Sequence, residues 1–231
     1  MFRVANADLE YAMETGPVWA RAPLPVARQP RPGPGYQGGL APHVLVETDR
    51  GPVPAGALAA GDLVRTRDHG FRPLLWVGLE QRRGSDPAAV RVTADAFGRS
   101  ARHGQALLAA DQHLLLRHAM NEVLFAGREV LCKASDLTHL PGIGPAQGRP
   151  DAPWLHLLFD RLEVIRVQGL WLASFAPDMA GLRRRDAAAA QAVEQAVPSL
   201  RYEAGLAAYA DEWLRLNRRE TRLLDRDGFQ A

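Results

Sequence analysis

The chain has 231 residues, 47% of them hydrophobic and 23% charged, with a formal net charge of +2. This is too apolar for a disordered chain and lacks the composition of a coiled coil. No apolar run approaches the roughly 18 uncharged residues that a membrane helix needs, so no membrane span is expected.

The first segment, residues 1–21, carries Asp8, Glu10 and Glu14 where a secretory signal would have basic residues and then an apolar core. No cleaved signal is expected, which leaves a cytoplasmic location or export without one. The segment is too short to build a core of its own. Residues 22–39 are dominated by Pro and Gly and read as an extended linker.

Residues 40–180 have the texture of a β domain. Val44 to Val46 is a strand closed by the turn residues Asp49 and Gly51. Leu63 to Thr66 is a second strand, and Leu74 to Val77 a third that breaks at Gly78. Val90 to Thr93 alternates apolar and polar residues. Leu114 to Leu116 and Val123 to Phe125 flank a turn at Met120 and Asn121, and Val130 and Leu131 add another strand. Trp154 to Asp160 and Glu163 to Val167 complete the series. Short strands at this spacing, with turn signals between them, argue for an all-β body.

Residues 181–231 form a helical extension. Arg183 to Arg185 stands at a helix entry. Asp186 to Val197 is Ala-rich and strongly helix-forming, and Pro198 stops it. Ser199 can cap a second helix, on which Leu206, Ala210, Trp213, Leu216, Glu220, Leu223 and Leu224 make one stripe that packs on the β body.

Chemical motifs are sparse. Only one of the 28 basic residues is Lys, Lys133, and the arginines do not cluster with aromatics along the chain, so no nucleic-acid partner is expected. The single Cys132 forbids an internal disulfide or a Cys-rich zinc site. No phosphate loop or HExxH motif occurs, and no metal or organic cofactor is implied. His113 and His118 are five residues apart, on opposite faces of a strand, and make a poor metal pair. His156 and Asp160, four apart, share a strand face, where a carboxylate can orient an imidazole for acid–base work; the alternative is a buried pair satisfied by its own hydrogen bond.

The order of these signals resembles the bacterial Hint (hedgehog/intein) domain family, in particular its alphaproteobacterial branch. The similarity is carried by Val46 to Gly51, Gly61-Asp62, Pro73 to Gly78, and Asp111-Gln112-His113 with Leu115 to Arg117. It continues through Glu122 to Phe125, Leu155 to Arg161 with Glu163, Gly169 to Trp171 and Ser174-Phe175. The resemblance implies a mainly β, horseshoe-shaped fold with a C-terminal α-helical extension. It also implies autoprocessing, in which a Cys or Ser at the first position attacks the preceding carbonyl. A Thr/Ser-x-x-His motif polarises that peptide bond, and a later His or Asp assists.

Against that pattern the nucleophile position falls at Gly39, which has no side chain, and no Cys or Ser occurs before residue 85. The Thr/Ser position falls at Ala110, and the branch's His between Arg161 and Glu163 is Leu162. His113, His156 and Asp160 remain. The expectation is a Hint-like module that has lost self-cleavage and binds or supports a protein partner the sequence does not identify, in an oligomeric state it leaves open. The alternatives are residual autoproteolysis near Gly38-Gly39, assisted by His113 and Asp160, and an unrelated small β protein.

Overall fold

A computed structural model of the chain describes residues 35–81, 89–97, 104–146, 153–210, 213–225 and 227–229. Residues 1–21 and the linker residues 22–34 lie outside the described residues.

The described strands are β1 (Leu45–Thr48), β2 (Gly51–Pro54), β3 (Leu63–Arg65), β4 (Phe71–Pro73), β5 (Trp76–Gln81), β6 (Val90–Thr93), β7 (Gln105–Leu108), β8 (His113–Arg117), β9 (Glu129–Lys133), β10 (Ile143–Pro145), β11 (Pro153–Leu158), β12 (Val164–Val167) and β13 (Leu170–Ala173). The helices are α1 (Asn121–Phe125), α2 (Met179–Arg185), α3 (Ala187–Ala196), α4 (Glu203–Ala210) and α5 (Arg218–Thr221). One sheet runs β4-β3-β1-β12-β13-β8-β9, with β2 paired to β1. All its registered pairs are antiparallel. A three-stranded group, β10-β6-β7, and a two-stranded group, β11-β5, make up the rest.

Leu40 joins those two groups. It bridges Leu108 of β7 on one side and Leu155 of β11 on the other. Leu40 N–H donates to Leu155 O at 3.0 Å, and Leu155 N–H returns to Leu40 O at 2.9 Å. The chain just after Gly39 therefore acts as a short strand in the middle of a sheet. Satisfying its backbone groups on both sides holds it in place.

The main core lies between the sheets and includes Val44, Val46, Val64, Leu108, Leu114, Phe159, Ile165 and Leu172. On β1, Val46 and Thr48 are buried while Leu45 is exposed, the alternation of a strand with one wet face. A second cluster seats the C-terminal helices: Met179, Leu182, Ala190, Val193, Leu200 and Tyr209 pack against Leu158, Leu162, Phe175 and Tyr36. The helical extension thus packs on Leu158 at the end of β11.

Local readings differ from the structure at several points. Gly35 to Gly39, the end of the expected linker, include buried residues at 35, 36, 38 and 39. A large aromatic, Tyr36, anchors them in the helical cluster. Gly78 does not break β5; a Cβ there would overlap the Trp76 indole, so the glycine is a slot for that ring. Val123 to Phe125 is helical, because Asn121 Nδ2 donates to Leu116 O at 3.1 Å and Arg128 O at 3.0 Å and so closes the connection locally. Arg183 to Arg185 ends α2 rather than opening a helix, which places its cations by the unpaired carbonyls of the last turn.

The tail stripe is not one helix. Ser199 lies in a 3-10 turn, Pro198–Arg201, and α4 begins after it. The chain then runs extended past β9, where Leu131 N–H donates to Leu214 O and Leu216 N–H donates to Leu131 O. Asn217 starts α5 with a full capping box, Glu220 returning its carboxylate to the Asn217 N–H at 2.8 Å.

Candidate functional site

The Gly38-Gly39 peptide is enclosed. Gly39 N–H donates to Gln112 Oε1 at 2.8 Å, and Gly39 O accepts from Ala109 N–H at 3.0 Å. Gln112 is itself fixed, since its Nε2 donates to His113 O at 3.1 Å and Ala173 O at 2.7 Å. A single side chain thus ties the Gly39 backbone to β8 and β13.

Gly39 has φ +138°, a conformation that side chains of L-residues rarely adopt. A Cβ on it would stand 2.9 Å from Trp154 Cβ and 3.4 Å from His156 Cε1. A side chain bearing a hydroxyl or thiol would therefore be crowded at this residue. Gly39, Gln112, His156 and Ser174 help line a cavity of about 10 Å³, the scale of one water molecule.

His156, on β11, is the candidate residue brought against Gly39. Its partner is not Asp160 but Glu80 of β5: Nε2 lies 3.2 Å from Glu80 Oε2, and both side chains are buried. The pairing follows from register, because His156 stands opposite Gly78 and Trp154 opposite Glu80. The Tyr36 and Phe175 rings flank the imidazole, with centroids 4.8 and 4.9 Å away. Tyr36 also donates to Asp186 Oδ2 at 2.9 Å, and burial, first of all, raises its phenol well above the ordinary range.

The other expected partners lie elsewhere. β11 ends at Leu158, so Asp160 leaves the strand and pairs with Arg72 at 2.7 Å on the surface. The expected shared face of His156 and Asp160 therefore does not form. His113 stands opposite Lys133 on β9, on the other face of β8 from core residue Leu114. Burial, aided by Arg215 and Lys133, drives its imidazole down to about 3. Ala110 is buried, and its carbonyl accepts from Ser135 N–H at 2.9 Å; its methyl offers no bond to the Gly38-Gly39 peptide. Leu162 packs in the helical cluster.

A second polar pair, His69 and Glu163, has Nδ1 3.1 Å from the carboxylate. Burial raises the Glu163 carboxyl, against the opposing pull of His69. Among the described residues no group of three or more His, Cys, Asp or Glu is placed to hold a metal ion. Reading by spacing missed Gln112, Glu80 and Trp154. Gln112 was visible only as the residue beside His113; the other two acquire meaning from strand pairing.

A family model described as the Hint domain matches residues 39–179, well over half of the chain, and its match begins at the enclosed glycine. The chain belongs to the Hint domain family. Its fold is the β-rich Hint type with C-terminal helices added. Among solved structures, the gp41-1 intein is 12% identical over 58% of this chain and 97% of that one, with a TM-score of 0.36. The MchDnaB-1 intein is 14% identical over 58% of this chain and 98% of that one, with a TM-score of 0.37. No curated protein matches the chain. In this Hint domain the first matched residue supplies a backbone N–H and C=O to a closed network and no reactive group.

Proposed function

We propose that this Hint domain folds without cutting itself and serves as a binding or structural module that keeps its N-terminal flank attached. The observation that carries the reading is at Gly39. The residue has no side chain, and a Cβ would meet Trp154 at 2.9 Å. Covalent autoprocessing begins with a nucleophile whose oxygen or sulfur forms a bond to the preceding carbonyl carbon. Nothing at this position can form that bond. The enclosing hydrogen bonds support the same reading, because they fix the Gly39 backbone next to the two-sided bridge at Leu40.

Cleavage near Gly38-Gly39 with help from His113 and Asp160 finds no support in the geometry. Asp160 is engaged with Arg72, and His113 lies among Lys133 and Arg215. The test is the intact mass of the purified chain over days between about pH 6 and 9, with and without hydroxylamine or dithiothreitol. A single full-length mass throughout is the expected result. Fragments that break between Gly38 and Gly39 overturn the proposal.

A further inference from the structure

Beyond the diglycine site, an open groove of about 440 Å³ lies on the outer side of the β10-β6-β7 group. His43, Arg91, Gln105, Leu107, Pro145 and Ala146 line it. Its shape follows from the strands. Arg91 stands between Leu107 of β7 and Gly144 of β10 in the antiparallel register. Val90 and Val92 point into the core, so Arg91 takes the outer face. Gly144 leaves the flank of Arg91 open, since a Cβ there would meet no atom within 4 Å.

Among the described residues, no side chain pairs with the side chains of His43, Arg91 or Gln105. Elsewhere on the surface Arg50, Arg72 and Arg183 each hold a carboxylate within 2.7 Å. Three potential donors, His43, Arg91 and Gln105, in one groove with Leu107, Pro145 and Ala146 are the ingredients of a small-ligand site. The planar Arg fork matches the two oxygens of a carboxylate, and the imidazole and amide can add donors. Among the described residues no lining residue is acidic, so the groove suits an anion better than a cation.

We infer that this groove binds a carboxylate carried on a short apolar body, with Arg91 taking the carboxylate and Leu107 and Pro145 taking the body. The same chemistry is offered by a free aliphatic acid and by the C-terminus of a peptide.

The test is calorimetric titration of the full chain with hexanoate, with N-acetyl-Leu-Leu as free acid and as amide, and with inorganic phosphate. Both carboxylates are expected to bind, the amide about tenfold more weakly or less, in line with loss of a charge-assisted bond. Phosphate, lacking an apolar body, is expected to bind more weakly than hexanoate. A peptide acid that binds more tightly than hexanoate assigns the chain terminus as the source, and parity assigns the free acid; either outcome supports the site. Arg91→Leu is expected to weaken the acids about tenfold or more. Gly144→Leu, which fills the groove and keeps the cation, should weaken them as well. Both positions face solvent, and thermal melts verify that the variants fold. The inference is overturned if no carboxylate binds at millimolar concentration, or if acid and amide bind alike. Phosphate matching hexanoate, or both variants binding like the parent, overturns it too.

Discussion

Adding a side chain at Gly39 should destabilise the protein sharply, and Gly39→Ser measures how closed the position is. The new Cβ would lie 2.9 Å from Trp154 Cβ and 3.4 Å from both Trp154 Cγ and His156 Cε1. Trp154 and His156 are themselves buried on β11, so neither can swing away without disturbing the sheet. A non-Gly residue at φ +138° adds backbone strain of about 1–3 kcal/mol. Overpacking of a filled site adds another 1–3 kcal/mol or so. Together these predict a loss of about 2–6 kcal/mol, or roughly 4–24 °C in Tm for a domain of this size. Urea and thermal unfolding of the full chain read this directly. A double-mutant cycle with Trp154→Gly isolates the clash, and the pair should be coupled favourably by about 1 kcal/mol. A Gly39→Ser variant within about 0.5 kcal/mol of the parent, a change typical of an open surface site, would refute the argument that the position is shut.

Gln112→Ala removes the acceptor of Gly39 N–H and the donor to His113 O and Ala173 O. It should cost about 2–4 kcal/mol and speed hydrogen exchange of the Gly39 amide, which NMR or mass spectrometry can follow. The His113 imidazole, held down to about 3 in the folded chain against 6.5 otherwise, should shape the acid limb. Below pH 6.5 the unfolded chain takes up a proton that the folded chain does not. The contribution is therefore complete above pH 6.5 and is lost towards pH 3, by at most about 1.4 kcal/mol per pH unit. Urea melts across that window should show the decline, and His113→Gln should flatten it. Burial pushes the Cys132 thiol up to about 12. A thiol reagent should leave the native chain untouched and label Cys132 at the rate of unfolding; fast labelling under native conditions would contradict its burial.

Much of the architecture was legible from local pattern. Val44 to Val46 is an apolar run closed by turn residues, Leu63 to Thr66 is a second short run, and Val90 to Thr93 alternates apolar and polar residues; each overlaps a strand. The Ala-rich run with Asp186 before it and Pro198 after it reads as α3, and Asp186 Oδ1 does accept from Ala189 N–H. The failures share a cause. Val123 to Phe125 has β-prone composition, yet two hydrogen bonds from Asn121 select a helical turn. Gly78 looks like a breaker until the Trp76 ring is seen lying over it. In each case a specific side-chain contact, close in sequence but invisible to residue pattern, outweighs propensity.

The site divides along the same line. The lack of a nucleophile at Gly39 and of a hydroxyl at Ala110 is a matter of residue identity, so the sequence alone establishes it. Spacing could also place His156 on a strand. Its partner was beyond reach, because Glu80 is 76 residues away and meets it only through pairing of β11 with β5. Nor does any local pattern reveal that Gln112 holds the Gly39 backbone across 73 residues, or that Trp154 fills the space beside it. Residue identity limits what chemistry a position can offer. Which groups meet there is decided by long-range strand register, and that exists only in the folded chain.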